Sequence, residues 1–171
     1  MEIIDDFIDQ KKFNEIQTLM MSSEFPWFFA GAVDRETEAD EGIDKFQLIH
    51  MFHSNFQPQS LFCEKMQTIL TELDPLSIWR IKANLLTRTP DIVENAFHID
   101  IEELSEEKLK QWTTAILYVN TNNGYTKFED GTKVESVANR VVIFPANLKH
   151  TGTSCSDDKA RIIINFDYFR R

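Results

Sequence analysis

At 171 residues, with 42% apolar and 12% aromatic side chains, the chain has the size and composition of one globular domain able to bury its own core. No apolar run approaches the roughly 18 residues a membrane span needs, and the acidic start Met1-Glu2-Ile3-Ile4-Asp5-Asp6 has no basic segment or cleavage site of a secretory leader. A net charge of -10 without a basic stripe argues against nucleic acid as a partner, and Cys63 and Cys155, with no CxxC spacing, indicate neither a disulfide framework nor a zinc ribbon, so a reducing, cytoplasmic setting is expected.

In chain order, residues 2 to 21 carry apolar side chains at Ile4, Phe7, Ile8, Phe13, Ile16, Leu19 and Met20, a spacing that predicts an N-terminal helix broken near Asp9. Phe25-Pro26-Trp27-Phe28-Phe29 is dense in aromatics and suits a buried strand or a packed loop. Asp34 to Asp44 is strongly acidic and reads as a solvated loop. Phe46 to Phe56 predicts a strand. Ser60 to Leu70 predicts an amphipathic helix capped by Ser60 with Glu64 in its early turns, and Pro75 closes this helical half.

From Ile78 the pattern changes to short runs of β-branched and aromatic residues separated by turn signals. Eight strands are predicted: Ile78 to Thr87, Ala96 to Asp100, Thr113 to Asn120, Tyr125 to Glu129, Thr132 to Val137, Arg140 to Phe144, Lys149 to Thr153, and Ala160 to Phe169. Asn122-Asn123-Gly124 is a turn sequence, and Asp130-Gly131 is a two-residue hairpin signal whose glycine takes positive φ. Glu102 to Lys110 is charged and helix-prone, a surface excursion. The expected fold is mainly β with flanking α: a double-stranded β-helix, or jelly roll, with N-terminal helices packed on one sheet. Residues 1-77 would support a core at 78-169 within a single domain; an open sheet with a helical layer is the alternative.

The chemistry begins at Phe97-His98-Ile99-Asp100. On a strand, residues i and i+2 share a face about 6.6 Å apart, so His98 and Asp100 can converge on one metal ion. Alone, such a pair is more often a surface contact. His150 follows about fifty residues later, on a strand that a jelly roll places beside the first. Two histidines and a carboxylate on one face of an octahedron form the facial triad expected of non-haem Fe(II) oxygenases. Fe(II) with one carboxylate and a 2-oxoglutarate dianion leaves the pocket one negative charge in excess. Arg161, eleven residues past His150 on the strand Arg161-Ile162-Ile163-Ile164-Asn165-Phe166, can neutralise it with a bidentate fork on the far carboxylate. Lys159, in the polar turn Ser156-Asp157-Asp158, is the competing anchor.

With these residues in this order the sequence resembles the prolyl-hydroxylase-type branch of the Fe(II)/2-oxoglutarate oxygenases, and especially its small bacteriophage and marine microbial members. The similarity runs from Ile78 to Tyr168, through Ala115-Ile116-Leu117-Tyr118-Val119-Asn120, the Gly124-to-Gly131 hairpin, Asn139-Arg140-Val141-Val142-Ile143-Phe144 and His150 through Asn165. Phe25-Pro26-Trp27 and Arg80-Ile81-Lys82-Ala83-Asn84 also match the phage group. The resemblance implies that His98, Asp100 and His150 hold Fe(II), that Arg161 anchors the 2-oxoglutarate cosubstrate, and that O2 is consumed. It further implies that Tyr118 helps bind the far carboxylate, although a core aromatic is equally compatible with that position. Asn165 and Asn84 would reach cosubstrate or substrate. One departure is the spacing of Arg161 from His150, lengthened by a turn at Ser156-Asp157-Asp158, which bears on strand register.

The activity implied is hydroxylation of a C-H bond with release of succinate and CO2, since related halogenases lack the carboxylate that Asp100 supplies. The substrate would be a small molecule or a peptide, and the acidic segments 34-44 and 102-110, if they line the pocket mouth, would suit a basic or peptidyl one. Oligomeric state is not legible. Two rivals remain at this level: a non-catalytic jelly-roll metal- or ligand-binding module, such as a phage structural protein, and a cupin-like Zn or Mn enzyme drawing on His50 and His53. Cys155 reads as a buried loop thiol.

Overall fold

A computed structural model describes residues 1-33 and 46-170. The acidic segment Asp34 to Asp44 lies outside the described residues. In chain order the elements are β1 (Glu2–Ile4), α1 (Gln10–Met20), β2 (Phe28–Ala30), β3 (Gln47–Ser54), β4 (Gln57–Pro58), a 3-10 turn (Leu61–Met66), α2 (Gln67–Leu73) and β5 (Pro75–Thr87). There follow α3 (Glu106–Leu109), β6 (Trp112–Tyr118), β7 (Tyr125–Phe128), β8 (Lys133–Glu135), β9 (Val141–Pro145), β10 (His150–Gly152) and β11 (Ala160–Arg170).

The strands build two antiparallel sheets. The larger runs β1-β9-β6-β11-β5-β3-β2, with β4 beside β3, and the smaller runs β10-β7-β8. Isolated bridges from Glu94 to Thr153 and from His98 to His150 add the chain before α3 to the open edge of the smaller sheet. This is the jelly roll. Alternation along the central strands decides what each face buries. Ala115 and Leu117 of β6, Val119 just beyond it, and Ile162, Ile164 and Phe166 of β11 face a core shared with Phe13, Ile16 and Met20 of α1 and Ile69 and Leu73 of α2. The helices therefore cover one face of the larger sheet. Ile116, Tyr118 and Ile163 face the other way and meet Phe128, Val134 and Phe144 between the sheets.

Five local expectations are revised. Glu2–Ile4 pairs with β9 as an edge strand, because adjacent Ile3 and Ile4 offer no helical stripe and β9 has a free edge; the helix begins only at Asp9, whose carboxylate accepts from Lys11 N and Lys12 N at 3.1 Å each. The aromatic run Phe25–Phe29 divides: Phe25 is buried, while Phe28 and Phe29 sit on exposed edge strand β2. Ser60 caps a 3-10 turn, accepting from Phe62 N at 3.1 Å, and α-helix follows only from Gln67 to Leu73. Ala96 to Asp100 is held by one isolated bridge, at His98, and not by a continuous ladder, since β10 offers only three residues to pair with. At Asp130-Gly131 the chain does turn, with Gly131 at the expected positive φ of 88°, but through three residues and not two: Phe128 N donates to Thr132 O and Gly131 N to Phe128 O, each at 2.9 Å, so Glu129 joins the loop.

Candidate active site and metal centre

His98 and His150 exchange backbone hydrogen bonds, His98 N to His150 O at 2.9 Å and the reverse at 3.0 Å, which sets their rings 4.9 Å apart. Asp100, two residues on, brings Oδ2 to 3.5 Å from His150 Nε2. One ligand atom from each of His98, Asp100 and His150 lies within 4.8 Å of the other two. Nδ1 of His98 sits 3.2 Å from the Ala96 carbonyl oxygen and Nδ1 of His150 3.3 Å from that of Leu148. Carbonyl acceptors there favour a proton on Nδ1 and leave an Nε2 lone pair for a metal. His150 is further fixed by Phe144, edge-on at 4.9 Å. This donor set of two imidazoles and one carboxylate fits Fe(II) with coordination positions left over.

Asp100 is oriented by groups from the larger sheet. Arg80 Nη2 donates to Asp100 Oδ1 at 2.5 Å, and Asn165 Nδ2 lies 3.2 Å from Oδ2. The same guanidinium donates through Nε to Asp167 Oδ2 at 2.9 Å, and Thr114 Oγ1 donates to Asp167 Oδ1 at 2.9 Å. Burial works to raise the Asp100 carboxyl, but Arg80 and the two histidines outweigh it and hold the group well below the ordinary carboxylate range. Burial pushes Asp167 up to about 6 against the pull of Arg80, with Asp100 repelling it as well. The shared cation thus keeps the metal-facing carboxylate ionised. Arg80→Lys, which keeps the charge but loses the fork, is expected to weaken metal binding roughly tenfold to a hundredfold; equilibrium dialysis with Fe(II) under argon reads this, and unchanged affinity would remove Arg80 from the site.

The inward residues of β5 and β11 line a cavity that runs from the triad to Arg161. Arg161 is 1% exposed. Its Nε donates to Ser136 Oγ at 2.7 Å, its Nη2 to Thr126 Oγ1 at 3.1 Å, and its Nη1 points at the Thr153 carbonyl at 3.4 Å. Among the described residues no carboxylate pairs with it, and burial pulls its pKa down. A guanidinium buried without an anion is costly. The fold keeps it there by close approach of two glycines: a Cβ on Gly124 would stand 2.6 Å from Arg161 Cδ and 2.7 Å from the Ser154 carbonyl oxygen, and one on Gly152 would stand 3.2 Å from Nη1. Gly124→Ala is therefore expected to cost about 1–3 kcal/mol, a fall in melting temperature of roughly 2–12 °C for a chain of this size. An unchanged thermal melt would mean that the loop yields freely.

The predicted site residues divide by position. His98, Asp100 and His150 stand at one end of the cavity and Arg161 at the other, while Asn84 and Asn165 line its wall. Tyr118 does not line it: the ring lies behind the Arg161 guanidinium, 5.6 Å away, and its hydroxyl donates to Thr126 Oγ1 at 2.8 Å. Lys159 is exposed in the turn before β11. His50 is a satisfied core histidine, with Nδ1 2.8 Å from Pro26 O and Nε2 2.9 Å from Ser60 Oγ, and neither it nor His53 joins a metal cluster among the described residues. Cys155 is a buried free thiol. Sequence reasoning assigned no role to Arg80, Asp167, Thr126, Ser136 or Lys82. Its available signal was the run Arg80, Lys82, Asn84, three polar residues on one face of a strand whose other face carries Ile81 and Ala83 of the core.

The fold is that of the prolyl-hydroxylase-type Fe(II)/2-oxoglutarate oxygenases. A 2OG-Fe(II) oxygenase family oxidoreductase from Burkholderia pseudomallei superposes with a TM-score of 0.68 at 13% identity, covering 99% of this chain and 84% of that one. A prolyl hydroxylase from Trichoplax adhaerens, solved with a hypoxia inducible factor peptide, gives 0.66 at 14% identity over 99% and 83%. The viral collagen prolyl hydroxylase of Paramecium bursaria Chlorella virus-1, solved with 2-oxoglutarate, gives 0.58 at 14% identity over 99% and 96%. No protein-family model matches the sequence, and no curated protein does.

Proposed function

We propose that the protein is an Fe(II)- and 2-oxoglutarate-dependent dioxygenase that hydroxylates a C-H bond of a small-molecule or peptidyl substrate. The observation that carries this function is Arg161, a buried cation without a counter-ion among the described residues, at the far end of a cavity whose near end is a two-histidine, one-carboxylate triad. A structural metal alone would not need it. His98, Asp100 and His150 would hold the iron, which with 2-oxoglutarate and O2 supplies oxidative decarboxylation to succinate and CO2 and the oxidising power for C-H hydroxylation.

The chain's own residues do the rest. Arg161 and Thr126 bind the far carboxylate of 2-oxoglutarate, and Tyr118 and Ser136 fix those two side chains from behind. Arg80 and Asn165 keep Asp100 ionised and oriented. Ile116, Ile163 and Leu86 give the cavity apolar walls that exclude water, and Asn84 and Asn165 supply polar contacts on the same wall. Residues 1-171 would act as one domain, with 1-77 completing and covering the sheet that 78-169 begins. We place the activity in the cytoplasm, where a reducing environment preserves ferrous iron and the free thiols of Cys63 and Cys155. No described helix is long and apolar enough to cross a membrane.

The function is tested with a matched pair of keto acids. Metal-loaded protein is expected to bind 2-oxoglutarate about 30-fold or more tightly than 2-oxopentanoate, which lacks the far carboxylate, because pairing a buried charge is worth upward of 2 kcal/mol. Equal affinity by calorimetry, or binding of neither, would contradict it.

A further inference from the structure

The inward face of β5 carries a second cation that neither the triad nor the 2-oxoglutarate anchor employs. Lys82 pairs in register with Asn165 of β11 on one side and Met51 of β3 on the other, so its Cα lies in the middle of the larger sheet. Its side chain lines both the inner cavity and the wider cleft through which that cavity opens; His98, Asp100 and Gln47 line both as well. Lys82 is half-buried and forms no ion pair among the described residues. The two acids whose fields reach it, Asp100 and Asp167, are already bound by Arg80. Burial, followed by repulsion from Arg80, presses its pKa down.

A charge count shows what is missing. Iron, Asp100, 2-oxoglutarate and Arg161 together come to zero, and Arg80 cancels Asp167. Among the described residues that line both cavity and cleft the positive charge of Lys82 is left over, beside the triad and on the side of it that opens to the cleft. Gln47, which also lines that opening, has its amide donors on the Ala32 and Val33 carbonyls at 3.1 and 3.2 Å, which makes Lys82 the cationic donor among the described residues that line both cavity and cleft. We propose that Lys82 is a substrate-binding residue and that the primary substrate is a small carboxylic acid, whose carboxylate pairs with Lys82 so that a C-H bond a few atoms away faces the metal. The inference rests on the oxygenase function for which end of the cavity 2-oxoglutarate occupies. It reverses the expectation of a basic substrate drawn from the acidic segments: Glu102 and Glu103 do stand at the outer cleft, but the residue beside the triad is a cation.

The test uses intact protein loaded with Mn(II), a redox-silent stand-in, and 2-oxoglutarate. Propionate, N-acetylglycine, N-acetylproline and hexanoate are each titrated against their primary amides, and Mn(II)-enhanced relaxation of the probe protons reports binding near the metal. At least one acid is expected to bind about tenfold or more tightly than its amide, the scale of a hydrogen bond to a charged group. That preference should persist in Lys82→Arg and vanish in Lys82→Met, with the melting temperature and the affinities for Mn(II) and 2-oxoglutarate unchanged in both. No acid preferred over its amide, or a preference that survives in Lys82→Met, would overturn the proposal. So would a Lys82→Met protein that loses 2-oxoglutarate affinity by the same factor, which would make Lys82 a cosubstrate residue. If the protein takes up Mn(II) but not 2-oxoglutarate, the oxygenase function fails by itself, and the acid-amide comparison made with Mn(II) alone still decides the role of Lys82.

Discussion

Arg161→Ala should raise the dissociation constant for 2-oxoglutarate by about 30-fold to several thousandfold, because truncating one member of a buried charge pair costs roughly 2–5 kcal/mol. The guanidinium is buried and pairs with no carboxylate among the described residues, and nothing else in the described cavity wall offers the far carboxylate a comparable fork. Ser136 Oγ would lose the Arg161 donor at the same time, and Thr126 Oγ1 would keep only that from the Tyr118 hydroxyl. Metal binding should be unaffected, since Arg161 makes no hydrogen bond to the triad. Calorimetry with 2-oxoglutarate on Mn(II)-loaded protein separates the two effects. An unchanged affinity would mean that the dicarboxylate is held elsewhere.

His98→Ala should lower metal affinity by on the order of a hundredfold to a thousandfold, a single ligand's share of the binding energy of a protein metal site. The fold should survive. The paired hydrogen bonds between His98 and His150 use backbone atoms and are retained by alanine. Circular dichroism would then show a native protein that fails to take up Fe(II) in dialysis, with 2-oxoglutarate binding lost as well because its keto-acid end has no metal to chelate. Wild-type metal affinity in this variant would place the ion away from the triad.

The strands that build the site were legible because their patterns are strong. On β11 alternation alone sends Arg161, Ile163, Asn165 and Asp167 to one face and Ile162, Ile164 and Phe166 to the other, and the structure divides them in that way. The order of His98, Asp100, His150 and Arg161 along the chain was readable for the same reason, since each stands on or beside a recognisable strand or turn. What escaped was pairing across distance. Arg80 and Asp167 are 87 residues apart, and nothing local says that one guanidinium will serve both Asp167 and Asp100. Tyr118 shows the limit of alternation: facing inward placed it under Arg161, but only the packing of Thr126 and Val134 shows that its hydroxyl is already engaged. Glu2–Ile4 was misread because its partner β9 begins at Val141, and an edge strand of three residues carries too little periodicity to declare itself.

The central claim, that one cavity holds iron at the triad and 2-oxoglutarate between that iron and Arg161, is most directly tested by anaerobic titration. Fe(II) is added to metal-free protein, then 2-oxoglutarate, and the visible spectrum is followed for the weak charge-transfer band of an iron-chelated keto acid. The band should form in the wild type, require far more 2-oxoglutarate in Arg161→Ala and be absent in His98→Ala. Folded, iron-loaded wild-type protein that shows no band at saturating 2-oxoglutarate would contradict the assignment.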